Sequence, residues 1–428
     1  MLVNIDTFPT LTSWLPIAAD SDFPLQNLPF GIFSPSASAS PRVGVALGDQ
    51  VIDLSALLEL GFMDEVYFKD PSVFYEQTLN DFIGLGQDTW RAVRLRLVEL
   101  FRADNPTLRD NEAAKAAVLF DQNKVKMHLP VHIGDYTDFY SSIEHASNVG
   151  SMFRDPSNPL LPNWRHLPVA YHGRASSIVI SGTPIRRPKG QTKPDNVEMP
   201  VFGPSQALDF ELEMAFVVGK PTQMGQSVAV AEADAHVFGF LLFNDWSARD
   251  IQRWEYVPLG PFLAKNFASA VSPWIVTLDA LAPFRVATPT QNPPVLPYLQ
   301  FDGLYNFDIH LEVGIQPENG AETIVTRTNY KYMYWNYAQQ LAHHTVNGCN
   351  INIGDLYASG TISGAEKGSN GCLLELTWGG KEPITLADGS QRKYLADGDT
   401  VAIRGYALKN NHRIGFGEVS NKLLPAAN

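Results

Sequence analysis

Proline and glycine, 30 and 32 of them, are scattered through the 428 residues without a repeat period and cut the chain into short apolar segments. Proline removes a backbone donor and glycine favours turns, so neither long helices nor long uninterrupted strands fit most of this sequence. What remains is a β-rich architecture with many turns. Strand-like segments recur at Ile178–Ile180, Phe210–Val218, Phe238–Phe243, Trp274–Leu278 and Phe307–Val313. More follow at Gly354–Ile362, Leu373–Trp378, Thr400–Gly405 and Arg413–Val419. Few intervening stretches have the helical period that parallel βαβ units require. The expected main part is therefore a large, mixed or mostly antiparallel β roll or sandwich.

The N-terminal part differs. Arg42–Gly48 and Val51–Leu54 read as short strands of a small β unit. Trp90, Val93, Leu97, Leu100 and Phe101 then recur at the spacing of one helical face, and Asp110 is placed to cap a second helix over Ala113–Ala117. A boundary near residues 120–130 follows, giving an N-terminal β domain with a helical segment over 1–125 and a C-terminal domain over 126–428.

A hydrophobic fraction of 45% excludes a disordered chain. A net charge of -13 with no basic face excludes a general nucleic-acid partner. No apolar run reaches the roughly 20 residues of a bilayer span. The start, Met1–Asp6, lacks the pattern of a secretory signal, and Cys349 and Cys372 match neither a disulfide framework nor a zinc spacing. A reduced, soluble, cytoplasmic protein is expected.

Four clusters could carry chemistry. In Leu208–Phe216 the period of two sets Leu208, Phe210, Leu212, Met214 and Phe216 on one face and Asp209, Glu211 and Glu213 on the other. Glu211 and Glu213, about 7 Å apart along a strand, could share one cation; taken alone, a solvated face is the simpler reading. Asp245 ends an apolar run just before a helix-like stretch from Trp246 to Trp254, where N-capping is the simpler role. Arg249, Gln252 and Tyr256 share one face if that helix continues, although a surface basic patch explains Arg249 equally well; Lys265 follows a stiff proline-rich turn. Ser141 and Glu144 have capping-box spacing, which sets His145 in the first turn of a helix, where a histidine can serve as a base but is more often structural. Glu375 lies in an apolar run and must face solvent or a buried partner; bonded to an imidazole it would orient it. The adjacent pair His343–His344 points in two directions on a helix and reads as structural.

These stretches together resemble the fumarylacetoacetate hydrolase family in its full-length, two-domain form. The resemblance is carried by Gly134 to Tyr140 with His145, Leu167 to Ser177, Asp209 to Ala215, Asn244 to Phe262, His343 to Cys349, and Ala358 to Gly364. It implies a small SH3-like N-terminal β domain, a C-terminal β roll and a homodimer. It further implies metal-dependent hydrolysis of a carbon–carbon bond in a diketo-diacid, 4-fumarylacetoacetate, to fumarate and acetoacetate, the last step of tyrosine and phenylalanine catabolism. Carried over residue by residue, Asp138, Glu211, Glu213 and Asp245 hold calcium or magnesium, and Lys265 and Ser269 adjoin a second, magnesium-type site. His145 activates water under the orientation of Glu375, the cation stabilises the departing enolate, and Arg249, Gln252 and Lys265 stabilise the oxyanion. Tyr140, Arg154, Tyr171, Gln252, Tyr256 and Thr361 bind substrate. Departures are Ser269, where the family usually has threonine, the pair Ile143–Glu144, and the loop Ala365–Asn370. Three rivals stand beside this reading: a relative acting on another acylpyruvate or oxo-diacid, an iron oxygenase needing two histidines and a carboxylate, and a non-catalytic metal-binding scaffold.

Overall fold

In the computed structural model, which describes residues 11–195 and 197–428, the short apolar segments assemble into two main sheet systems and a small N-terminal one. The Met1–Asp6 segment lies outside the described residues. The N-terminal sheet is antiparallel throughout, in the order Leu119–Asp121, Gln50–Asp53, Arg42–Leu47, Phe30–Ser34, Lys126–His128. Leu47 pairs with Gln50 across a two-residue turn, and Gly48 there has φ 61°, a conformation that glycine adopts without steric cost. Helix Gln87–Phe101 buries Trp90, Val93, Leu97, Leu100 and Phe101, the stripe read from the sequence. The second helix runs over Glu112–Val118 and is capped by Asn111, not Asp110, which instead ends the preceding turn Pro106–Arg109.

The central sheet of the C-terminal part is mixed. Its heart is antiparallel: Leu212–Val218 lies between Val237–Asp245 and Leu356–Ala358. Its flanks are parallel, with Tyr136–Phe139 beside Leu356–Ala358 and Ile178–Ile180 beside Ser269–Val271. A second sheet, ordered Thr323–Asn329, Ile309–Gln316, Thr400–Lys409, His412–Leu424, Ile185–Arg186, packs against it. Leu212, Met214, Phe216, Phe240 and Leu242 meet Leu311, Val313, Ile403 and Val419 in one core. On the opposite face Ala215, Val217, Phe238, Leu241 and Phe243 meet Phe30, Ile52, Phe82 and Trp90 of the N-terminal domain. The Phe238 ring stands edge-on to Trp90 at 4.9 Å between centroids. Both faces of the central strands are thus buried, and the N-terminal domain is what covers the second face.

Several expected strands shorten or change type. Trp274–Leu278 keeps only Val276–Thr277, because Thr277 caps a helical turn over Leu278–Leu281. Gly354–Ile362 keeps only Leu356–Ala358. Leu373–Trp378 contains no strand at all: Leu373–Leu376 is a short helix, in keeping with the helix preference of leucine and glutamate. No helix among the described residues is long and apolar enough to cross a membrane.

Candidate active site

Four carboxylates converge where the central strands end. Asp138 lies on Tyr136–Phe139, Glu213 on Leu212–Val218, Asp245 at the end of Val237–Asp245, and Glu211 in the break between Leu208–Asp209 and Leu212–Val218. One ligand atom from each lies within 4.8 Å of the others, and all four side chains are buried. The simpler expectations for two of these positions fail. Asp209, Glu211 and Glu213 do not form a solvated face, because both sides of this strand region are covered. Asp245 does not cap the following helix, which starts only at Arg249 with Ala248 as its N-cap and no side-chain cap bond.

Two cations compensate part of this charge. Lys265 Nζ donates to Glu211 and, at 2.7 Å, to Asp245. Arg249 reaches Asp209 through Nε at 2.8 Å and Glu211 through Nη1 at 2.7 Å, so it is buried rather than part of a surface patch. Burial opposes both charges, but the neighbouring carboxylates outweigh it and raise both cations above their ordinary range. Tyr171 OH and Ser269 Oγ complete the coordination of Asp245 at 2.9 and 3.0 Å.

Asp138 and Glu213 have no such partners. Asp138 Oδ1 and Glu213 Oε1 are buried without a hydrogen-bond partner, and burial followed by neighbouring carboxylates pushes both groups well above the usual carboxylate range. Orphaned buried oxygens among like charges are the environment that a hard divalent cation relieves. The residues present therefore fit a metal ion held by Asp138, Glu211, Glu213 and Asp245. The opposite oxygen of Glu213 is fixed by the Gly360 N–H at 2.9 Å. Gly360 has φ 77°, and a Cβ there would stand 2.2 Å from the Phe139 carbonyl, so only glycine brings this amide so close.

Beside the acidic cluster, His145 Nδ1 faces Glu375 Oε2 at 2.6 Å, both buried. His145 occupies the first turn of helix Ile143–Phe153, whose N-cap is Ser142 rather than the expected Ser141: Ser142 Oγ accepts from the His145 N–H. Ser141 instead accepts from Gln340 Nε2 at 2.8 Å. Burial pushes the Glu375 carboxyl up, but the His145 imidazole and its hydrogen bonds outweigh this and leave it below the ordinary range. Its remaining donors are not readable as a set from the sequence: Asn148 Nδ2 and Ser363 Oγ at 2.9 Å, Cys372 Sγ at 3.2 Å and Asn370 Nδ2 at 3.4 Å. Asn148 had a legible signal, being three residues from His145 on one helical face. Ser363 arrives from a distant loop and had none.

Burial pushes Glu211 up, but Lys265 and Arg249 outweigh it and hold this carboxyl below the ordinary range. Tyr140 stacks edge-on to the imidazole at 5.3 Å between centroids. Arg249 Nη2 and Thr361 Oγ1 are buried without partners, and Gln252 accepts from Arg249 Nη1 at 3.2 Å. Tyr171, Asp245 and Lys265 line a cavity of about 200 Å³. A roomier cavity, about 380 Å³, between Ile185, Arg187 and Phe267 contains none of the candidate residues. Arg154 and Tyr256 are the outliers. Arg154 is exposed and donates to the Pro159 carbonyl, while Tyr256 sits just past the end of helix Arg249–Glu255 and is 49% exposed. His343 and His344 pack apart from the carboxylates, against Tyr298 and Tyr357. Neither of the described clusters offers two histidines and a carboxylate, the donor set an iron oxygenase needs.

Comparison with known proteins meets this geometry. The fumarylacetoacetate hydrolase C-terminal family matches residues 136–424, and the fumarylacetoacetase N-terminal family matches residues 26–130. The chain belongs to the fumarylacetoacetate hydrolase family. It is 54% identical over 415 residues to the human fumarylacetoacetase, covering 97% of this chain and 99% of that one. The fumarylacetoacetase of Arabidopsis thaliana is 50% identical over 417 residues, again over 97% and 99%. Among solved structures, a fumarylacetoacetate hydrolase from Exiguobacterium antarcticum shares the fold at a TM-score of 0.51 and 18% identity, over 93% of this chain and 99% of that one. The fold of this family is mainly β, and its two parts correspond to the two matches along the chain.

Proposed function

We propose that this chain is a metal-dependent hydrolase that cleaves 4-fumarylacetoacetate into fumarate and acetoacetate. The observation that carries the reading is the buried 2.6 Å contact between His145 and Glu375 beside four converging carboxylates, together with high identity to fumarylacetoacetases over nearly the whole chain. A divalent cation in the carboxylate cage, calcium or magnesium by its hard oxygen ligands, would supply a Lewis acid for the diketone oxygens.

The chain's own residues supply the rest. A proton on Nδ1 of His145 is held by the ionised Glu375, which leaves Nε2 free to take a proton from water. The resulting hydroxide attacks the carbonyl carbon of the fumaryl group, the ketone that becomes the new carboxylate of fumarate. Arg249, through its unpartnered Nη2, together with Gln252 and Lys265, offers donors to the oxyanion of the tetrahedral adduct. When that adduct collapses, the bond from the attacked carbon to the methylene between the two carbonyls breaks, its electrons leave with the acetoacetate fragment, and the proton held by His145 returns to that methylene carbon, which becomes the methyl of acetoacetate. Tyr140, Tyr171 and Thr361 are proposed to orient the diketone, and Arg154 and Tyr256 to meet the substrate at the exposed rim. Lys265, Ser269 and Asp245 are proposed to adjoin a second, magnesium-type position.

The expected result is loss of the diketone absorbance when purified protein meets fumarylacetoacetate, abolition by a chelator and restoration by magnesium or calcium. Faster turnover of a short acylpyruvate, or restoration by iron alone, would overturn the assignment.

We also infer a homodimer. Phe202, on the hairpin Lys189–Thr192/Val201–Pro204, is 74% exposed, and Leu259, after helix Arg249–Glu255, is 96% exposed; Trp254 of that helix donates to Gln191 of the hairpin at 3.4 Å. Large exposed apolar side chains on neighbouring elements are what an association site would cover. Sedimentation at micromolar concentration should give one species of twice the chain mass; a monomer there would remove the inference.

A further inference from the structure

The strand break at Phe210–Glu211 leaves Asp209 with an unusual set of partners. Its carboxylate is fully buried and belongs to neither of the two ligand clusters among the described residues. Oδ1 accepts from the Leu373 N–H at 2.7 Å, and Oδ2 accepts from the Leu374 N–H at 3.0 Å and from Arg249 Nε at 2.8 Å. Leu373 and Leu374 open the short helix that carries Glu375, and the residue that should cap it, Cys372, makes no side-chain cap bond. Asp209 therefore caps this helix from another strand. The same carboxylate holds the guanidinium by Nε, Glu211 and Gln252 engage Nη1, and Nη2 is left buried and unpartnered.

We propose that Asp209 is a positioning residue that locks the water-activating arm, through the helix of Glu375, to the oxyanion arm, through Arg249. The proposal rests on the hydrolase reading above. Water activation and oxyanion stabilisation act on the same carbon, so the distance between the two arms has to be fixed, and misplacement by about 1 Å costs on the order of 100-fold in rate. One buried anion gripping both arms fixes that distance without touching substrate. Further fixing comes from the chain itself: Glu211 bridges to Cys372, and the Leu212 N–H donates to the Gly371 carbonyl at 2.8 Å.

Asp209→Asn tests this. The amide keeps the size of the side chain but has a single oxygen, so a donor must meet either Arg249 Nε or a helix N–H. The expected result is a fall in kcat of about 30-fold or more, with KM within about threefold, in protein that retains its melting transition and bound calcium. A double-mutant cycle separates positioning from loose packing. In an Arg249→Lys background, which lacks the Nε contact, Asp209→Asn should cost less than about a third of its effect in the unmodified chain. Full additivity of the two changes, or kcat within about twofold of the unmodified chain, would overturn the proposal. Should Asp209→Asn fail to fold, Asp209→Ser, which retains one acceptor, is read in the same cycle. Turnover by the unmodified chain is the control: its absence would refute the hydrolase reading itself, whereas turnover indifferent to Asp209 would refute only the positioning role.

Discussion

Glu375→Gln is expected to lower kcat on fumarylacetoacetate by about 10²–10⁴-fold, the range of a lost general base, with the metal content and the fold unchanged. The substitution is nearly isosteric, so packing is not its target. Glu375 Oε2 faces His145 Nδ1 at 2.6 Å and also accepts from Ser363 and Cys372, while Oε1 accepts from Asn148 and Asn370. With so many donors aimed at it, the site has room for an acceptor only. A glutamine must turn its amide donor toward at least one of these groups. If it faces the imidazole, Nδ1 becomes the acceptor and the proton moves to Nε2, the nitrogen that has to receive one from water. If it faces Asn148, a buried donor pair is left opposed, at a cost of about 1–3 kcal/mol in stability. Steady-state kinetics with metal analysis and a melting curve distinguish these results. Unchanged kcat would remove Glu375 from the chemistry, and loss of metal along with activity would mean that the dyad serves the cation site instead.

How much of this was legible depended on whether local pattern or distant packing set the outcome. The helix Gln87–Phe101 was readable because its apolar stripe is local and long. The role of Leu212–Val218 as a strand was readable for the same reason, but its environment was not. Alternation suggests one wet face, yet Ala215 and Val217 are covered by Phe30 and Phe82 from more than a hundred residues away. Asp245 looked like a cap because helix boundaries are weakly encoded, and the backbone runs three residues further before turning. Glu375 was assigned to a strand because its apolar flanks do not distinguish a strand from a buried turn of helix; Asp209, which decides between them by taking the Leu373 and Leu374 amides, lies 164 residues from the first of these. The strand period alone makes Glu211 and Glu213 candidates to share a cation, but joining Asp138 and Asp245 to them takes the family resemblance, since no spacing rule joins Asp138 to Asp245. Their convergence depends on sheet order: Leu212–Val218 separates Leu356–Ala358 from Val237–Asp245, and Tyr136–Phe139 lies beyond.

Glu213→Gln should separate cation binding from folding. Glu213 is fully buried; Oε2 takes the Gly360 N–H and Oε1 has no partner. Lys265 and Arg249 pair with Glu211, Asp245 and Asp209, so Glu213 and Asp138 have no ion-pair partner of their own, and burial with the neighbouring carboxylates raises both above the usual range. In chelated protein, burial and the neighbouring carboxylates already favour the neutral acid form of Glu213, so a glutamine whose oxygen still meets Gly360 replaces it at little cost, and its melting temperature should equal or exceed that of the unmodified chain. With saturating calcium or magnesium the order reverses. A ligand at 100 times its dissociation constant stabilises the folded state by about 2.7 kcal/mol, and a cage with one charge fewer binds a hard cation far more weakly. Titration calorimetry should show affinity reduced by about 100-fold, on the scale over which ligand charge tunes such sites. Thermal scans should show the metal-dependent rise in melting temperature shrink accordingly. Equal destabilisation with and without metal would identify Glu213 as a structural anion, and an undiminished calcium response would take it out of the cage.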